Sequence, residues 1–360
     1  MQLTKQQIDY CMECGVCTGS CPISHARPGF SPRQMIKRTL VDMDQSVPQS
    51  DDVWACLSCS RCSDRCPVGI DFPEFIRTYR EKAIEIGNLP RHSHHGIFQT
   101  IATIQSGGLD QKRTEWAADV GKYHEKGDYF YFVGCVPFHN SVFQYLDLNL
   151  IDTAKNILTI LNKVGVEPVI SNDECCCGHD AFWSGNKELF AKLAEKNMEA
   201  IKASGAKTVI FGCPEGYSIF KEQYTVLFGD LPFEVVHISE FLVKKLEEDK
   251  VSFQKGANGA VTFHDPCRLG RRLGIYEQPR QLIKLVPDSE LKEMGNNREN
   301  AVCCGTTAWM ECSSCSKTMQ INRLHEAKEA GAETIITACP KCQIHLTCAK
   351  SNTDLDVEVK

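Results

Sequence analysis

A chain of 360 residues is long enough to bury the cores of two or three domains. Hydrophobic residues at 42% and charged residues at 24% are near average, and Lys plus Arg at 40 against Asp plus Glu at 46 gives a net charge of −6. That balance points to an ordinary globular chain and gives no electrostatic reason to expect a nucleic-acid partner. There is no run of about 18 apolar residues, and MQLTKQQIDYC at the N-terminus lacks the apolar core of an export signal. A cytoplasmic chain is expected, attached to a membrane only through a partner subunit. The 21 cysteines are the outlying number. Without an export signal, their tight x2 and x3 spacing favours metal or cluster ligation over disulfides.

In chain order, the first motif is Cys11-x2-Cys14-x2-Cys17-x3-Cys21-Pro22 and the second is Cys56-x2-Cys59-x2-Cys62-x3-Cys66-Pro67. Zinc knuckles pair C-x2-C units instead. Both runs are similar to the bacterial ferredoxin run, in which three closely spaced thiolates wrap one face of a cubane and the fourth, before a proline, ligates the other cluster. One [4Fe-4S] cluster is therefore expected on Cys11, Cys14, Cys17 and Cys66, and another on Cys56, Cys59, Cys62 and Cys21. Between the motifs, Ser31 and Pro32 predict a helix start before RQMIKRTL. Asp71 and Pro73 open a second helix over FIRTYREKAIEI, stopped by Gly87 and Asn88. Residues 1–90 thus read as a helical, ferredoxin-like two-cluster domain. The pattern resembles the iron–sulfur subunits of respiratory complexes, where two clusters form a wire. Residues 91–127 read as a linker with some helix; His92, His94 and His95 suit a solvated polar turn, with metal ligation as the alternative.

The rest of the chain repeats itself, as units 128–250 and 251–360. In the first, the strand YFYFVG leads to Cys135, then come Cys176-Cys177-Gly178, then TVIFG leading to Cys213-Pro214. In the second, AVTFHDP leads to Cys267, then Cys303-Cys304-Gly305, then TIITA to Cys339-Pro340-Lys341-Cys342. Cys177 to Cys213 is 36 positions and Cys304 to Cys339 is 35, and AIKASGAKTVIFGCP parallels EAKEAGAETIITACP. Helical patterns between β-branched strands argue for α/β units around parallel sheets, with Gly165, Gly205 and Gly331 at helix ends and cysteines at strand ends.

These motifs resemble the cysteine-rich "CCG" domain proteins, of which heterodisulfide reductase is the type member; two clusters followed by two such units is the layout of its D-type subunit. The resemblance implies that a complete unit holds an unusual noncubane [4Fe-4S] cluster on five cysteines. In the second unit these are Cys267, Cys303, Cys304, Cys339 and Cys342, the expected catalytic site. The first unit departs from the pattern, because Gly216 stands where the fifth cysteine would be. With Cys135, Cys176, Cys177 and Cys213 left, it could hold an ordinary cubane, a degenerate cluster or nothing, and Cys175 is a candidate substitute.

Cys312-x2-Cys315 and Cys348 are left over; the pair could bind zinc, shuttle as a dithiol or pack against the C-terminal cluster. His264, beside Asp265, could hydrogen-bond cluster sulfur, donate a proton, or be a structural strand-end histidine.

Disulfide reduction takes two electrons and two protons, whereas each cluster delivers one electron at a time. The leading expectation is an oxidoreductase subunit that works within a complex. Electrons enter from a partner at the N-terminal cubanes and reach Cys267 to Cys342, where a small disulfide such as a heterodisulfide is cleaved. The alternative is a non-catalytic electron-transfer subunit relaying electrons to or from a flavoprotein or other oxidoreductase. No G-x-G-x-x-G follows a predicted strand, so the donor or acceptor is expected to be a protein: a flavoprotein, a hydrogenase or a membrane cytochrome subunit.

Overall fold

Two capped helices frame the N-terminal cysteines. The Ser31 Oγ accepts the Gln34 N–H at 3.2 Å, and Pro32 then takes the first position of the Pro32–Leu40 helix, where its missing N–H costs nothing. The Asp71 carboxylate accepts the Glu74 N–H at 3.3 Å and starts the Phe72–Glu85 helix. That helix buries Phe72, Phe75, Ile76 and Tyr79 in a core that also contains Trp54, Trp183 and Phe211, so the N-terminal part shares one apolar interior with the repeated units. The computed structural model describes residues 8–41, 46–249, 253 and 259–360. The expected junction between the two repeated units, at 250 and 251, lies outside the described residues.

The segment read as a linker contains the Ile97–Ser106 helix, which packs on the Lys187–Ser204 helix. Beyond it lie two parallel sheets. Strands β1 (Tyr129–Phe132), β2 (Thr208–Phe211) and β3 (Glu234–His237) form the first in the order β1-β2-β3. Strands β4 (Gly259–His264), β5 (Ser289–Leu291), β6 (Thr334–Thr337) and β7 (Glu358–Val359) form the second in the order β5-β4-β6-β7. The β-branched and aromatic residues of β1, β2, β4 and β6 suit strands covered on both faces.

The duplication is exact in register. Phe132 pairs with Phe211 between β1 and β2, and His264 pairs with Thr337 between β4 and β6. Cys135 and Cys267 therefore leave matching strand ends, as do Cys213 and Cys339. The chain is α/β after a helical N-terminal part. Among the described residues, no helix is long and apolar enough to cross a membrane.

Candidate metal centre

The fourth cysteine of each N-terminal run sits with the first three of the other. Cys11, Cys14, Cys17 and Cys66 line one cavity, and Cys21, Cys56, Cys59 and Cys62 line a second, with Cys62 also bordering the first. Both loops curl by the same device. The residues flanking the central cysteine are left-handed, Glu13 and Gly15 at φ +49° and +80° in one loop, Ser58 and Ser60 at +49° and +63° in the other. Three of these four are not glycine, so surrounding structure must hold them there. For the second loop, arginines do so. Arg80, fully buried, donates to the carbonyls of Val53 (3.0 Å), Cys56 (2.5 Å) and Trp183 (2.7 Å), Arg268 to that of Ser58 (2.7 Å), and Arg271 to that of Cys59 (2.7 Å). The Ser60 Oγ and Arg61 Nε are buried without a hydrogen-bond partner, and both residues border the second cavity. Soft thiolates beside unpaired buried donors fit an iron–sulfur cluster, whose sulfides accept hydrogen bonds.

A file of neighbouring sulfurs leaves this loop. Cys59 pairs with Cys303, Cys303 with Cys304, Cys304 with Cys342, Cys342 with Cys339, and Cys339 with Cys213 of the first unit; Cys267 branches from Cys303. The hydrogen bond from Cys303 brings the Cys59 thiol down to about 5, while burial pushes Cys56 up to about 12. The structure thus brings all five predicted C-terminal cysteines together and joins them to both neighbours. His264 belongs to the same centre: its ring and the Cys304 and Cys342 sulfurs lie within 4.8 Å of one another. Arg323 Nε donates to His264 Nδ1 at 3.2 Å, which places the imidazole proton on Nε2. Sequence reasoning missed His345, whose Nδ1 is 3.5 Å from the Cys304 sulfur and whose ring is held by Thr306 at 2.7 Å. Its spacing from Cys342, one helical turn along the Pro340–Lys350 helix, was the available signal.

Each Cys-Cys-Gly turn needs its glycine. Gly178 and Gly305 have φ of +81° and +87°, and a Cβ would lie 2.8 Å from the Phe190 ring and 2.9 Å from the Ser316 carbonyl.

In the first unit, the Cys135 and Cys176 sulfurs are 3.6 Å apart and Cys177 adjoins Cys176. Cys175 turns away, its sulfur 3.4 Å from the Leu193 carbonyl. Cys135 and Cys176 border a cleft with apolar walls such as Phe98, Phe138 and Leu189. Into its lining are built four buried polar atoms without partners: His92 Nδ1, Gln99 Oε1, His139 Nδ1 and Trp309 Nε1. The C-terminal Cys303, Cys304, Cys339 and Cys342 are buried.

A charged cluster, also unforeseen, lies between the units. Lys341 Nζ bonds Asp180 and, at 2.7 Å, Glu215. His179 accepts from Arg268 at Nε2 (2.9 Å) and bonds Asp180 through Nδ1 (3.0 Å); burial holds it neutral, its pKa pushed down to about 3. The remaining candidates lie elsewhere. Cys312 is exposed, Cys315 faces the Ala26 carbonyl at 3.3 Å, and Cys348 is 3.0 Å from Lys317 Nζ. His94 and His95 form a left-handed turn in which the His94 ring meets Phe143 edge-on at 5.0 Å.

Known proteins show the same division. A cysteine-rich domain model (CCG) matches residues 129–221 and 261–347, and a 4Fe-4S dicluster domain model matches 7–70. The chain is 31% identical to the D-type subunit of the dihydromethanophenazine:CoB–CoM heterodisulfide reductase of Methanosarcina acetivorans, over 98% of this chain and 92% of that one. It is 26% identical to the EtfAB:quinone oxidoreductase of Syntrophomonas wolfei, over 93% of this chain and 54% of that one. It is 25% identical to a subunit of the fumarate reductase (CoM/CoB) of Methanothermobacter marburgensis, over 93% and 67%.

Proposed function

Because this chain belongs to the cysteine-rich, iron–sulfur family that includes the D-type subunit of heterodisulfide reductase, we propose that it carries electrons between a partner protein and a disulfide within an oxidoreductase complex. The observation that carries this reading is the unbroken file of sulfurs from Cys59 through the five-cysteine set to Cys213.

Cys11, Cys14, Cys17 and Cys66 would hold one [4Fe-4S] cubane, Cys21, Cys56, Cys59 and Cys62 the other, and Cys267, Cys303, Cys304, Cys339 and Cys342 a noncubane [4Fe-4S] cluster. When bound, these groups supply one-electron steps. The protein's own residues do the rest. Cys14 is exposed, with Tyr10 at 70% and Met12 at 68% exposure beside it, which suits a face where a flavoprotein, hydrogenase or membrane cytochrome subunit docks. The cleft at Cys135 and Cys176 admits the disulfide: apolar walls take its chains, and the Trp309 N–H and neighbouring unpaired atoms take its polar groups. His264 and His345 hydrogen-bond the Cys304 sulfur and hold its charge. The overall change is RSSR′ + 2e⁻ + 2H⁺ → RSH + R′SH.

Burial of the C-terminal cysteines favours a second reading, in which the chain relays electrons to or from another oxidoreductase and transforms no substrate. Reduced, anaerobic protein separates the two. Re-oxidation by a small disulfide, with release of two thiols per disulfide, supports the reductase; re-oxidation only by a partner flavoprotein or quinone enzyme leaves the relay.

A further inference from the structure

The two units differ at one corner. In the second, His264 ends β4, pairs in register with Thr337, and shares a 4.8 Å neighbourhood with Cys304 and Cys342. In the first, the register puts Phe132 in the place of His264 and Phe211 in the place of Thr337, while Gly216 replaces Cys342. The Phe132 and Phe211 rings lie 5.1 Å apart, Phe220 packs on Phe211 at 4.9 Å, and Phe211 is wholly buried. A Cβ added at Gly216 would be 3.1 Å from the Phe211 ring and 3.9 Å from the Cys177 Cβ. A side chain leaving residue 216 thus heads toward Cys177, as Cys342 does toward Cys304, and meets the phenyl ring. Close packing leaves that ring nowhere to go.

We infer that the first unit is a four-thiolate site of Cys135, Cys176, Cys177 and Cys213, its fifth corner filled by Phe211, and that it takes a cluster of the four-ligand cubane class. The five-cysteine cluster assigned to its twin does not fit there. The inference rests on the iron–sulfur reading above and not on the disulfide chemistry. Three of its donors adjoin, since Cys135 and Cys176 are 3.6 Å apart and Cys176 neighbours Cys177; Cys213 is near enough to raise the Cys177 thiol, and also reaches Cys339 of the second unit. Of the four, Cys135 and Cys176 border the cleft.

The test uses the full chain, loaded anaerobically with iron and sulfide and read by metal and sulfide content and by EPR and Mössbauer spectra. Cys135→Ser and Cys177→Ser should each remove about four irons and four sulfides per chain while the five-cysteine spectrum persists. Gly216→Cys alone should change neither content nor spectrum, because its thiol meets Phe211. Gly216→Cys with Phe211→Thr should add a second copy of the five-cysteine spectrum. Full iron in both serine variants, or a spectral change from Gly216→Cys alone, overturns the inference. If the double variant does not fold, the serine variants still decide it. A parent chain that binds no iron at all would overturn the proposed function instead.

Discussion

Glu215 and Lys341 stand at the same position of the two repeated units, each directly after the proline of a Cys-Pro turn, and meet at 2.7 Å. The two copies thus close on each other through like positions bearing opposite charges. Lys341 is also bonded to Asp180, sits 5.3 Å over the Trp309 ring, and has a side chain only 6% exposed.

Lys341→Met should therefore be severe. It leaves the Asp180 carboxylate without its main counter-charge, beside a Glu215 carboxyl that burial already pushes well up, and breaking a buried pair in this way costs about 3 to 5 kcal/mol. Thermal unfolding of Lys341→Met against the double variant Lys341→Met with Glu215→Gln measures it. The double variant should recover part of the loss, and no recovery would mean that the lysine acts through packing alone.

Arg80→Lys should fail although it keeps the charge. The guanidinium reaches the carbonyls of Val53, Cys56 and Trp183 and the Ser58 hydroxyl at once, and an ammonium cannot span that set. Each buried acceptor left unpaired costs about 1 to 3 kcal/mol. The expected result is a lower melting temperature with iron lost first from the second cavity; full iron at parental stability would refute it.

The N-terminal cysteine runs and the duplication were legible because loop motifs and strand–turn–helix units are local and leave their spacing in the sequence. The capping by Ser31 and Asp71 was legible for the same reason. What could not be read was how the pieces dock. Arg80, Arg268 and Arg271 look like solvated charges until the fold buries them on the Cys56–Cys59 loop. The cleft joins His92, Gln99 and Cys135 to Trp309, far along the chain, and no local pattern encodes that meeting. The opposite charges at Glu215 and Lys341 were visible once the repeats were aligned, but their pairing needed the two units face to face.

The exchanged fourth cysteines make a direct prediction. Cys66→Ser should disturb the same EPR signal as Cys11→Ser, and Cys21→Ser the same signal as Cys56→Ser, because each pair lines one cavity. If Cys21→Ser instead matched Cys17→Ser, each run would serve its own cluster.

Glu174 ties the end of β1 to the Cys-Cys-Gly segment. Its carboxylate accepts the N–H groups of Val133 (3.0 Å) and Gly134 (2.7 Å) and pairs with Arg113 (2.8 Å), with its side chain 1% exposed. Glu174→Ala strands the buried arginine and two backbone donors, for a loss of about 3 to 5 kcal/mol. Chemical denaturation read by circular dichroism should show it, and a midpoint near the parent's would show that the segment is held by other contacts.

His237 gives the fold an acid limit. It is wholly buried at the end of β3, and its Nδ1 accepts the Ser239 N–H at 3.3 Å; burial pushes its pKa down to about 3. In the unfolded chain the ring titrates near its ordinary value of about 6.5. Between those values the unfolded state binds the extra proton, so this contribution is complete above about pH 6.5 and declines as pH falls toward 3, by up to about 1.4 kcal/mol per pH unit. His139 and His179, depressed in the same direction by burial, add to the slope. His237→Phe keeps the aromatic volume next to Tyr217 and removes the titration, so its denaturation midpoint should fall less steeply than the parent's between pH 7 and pH 5. Parallel slopes would show that protonation of His237 plays no part in acid unfolding.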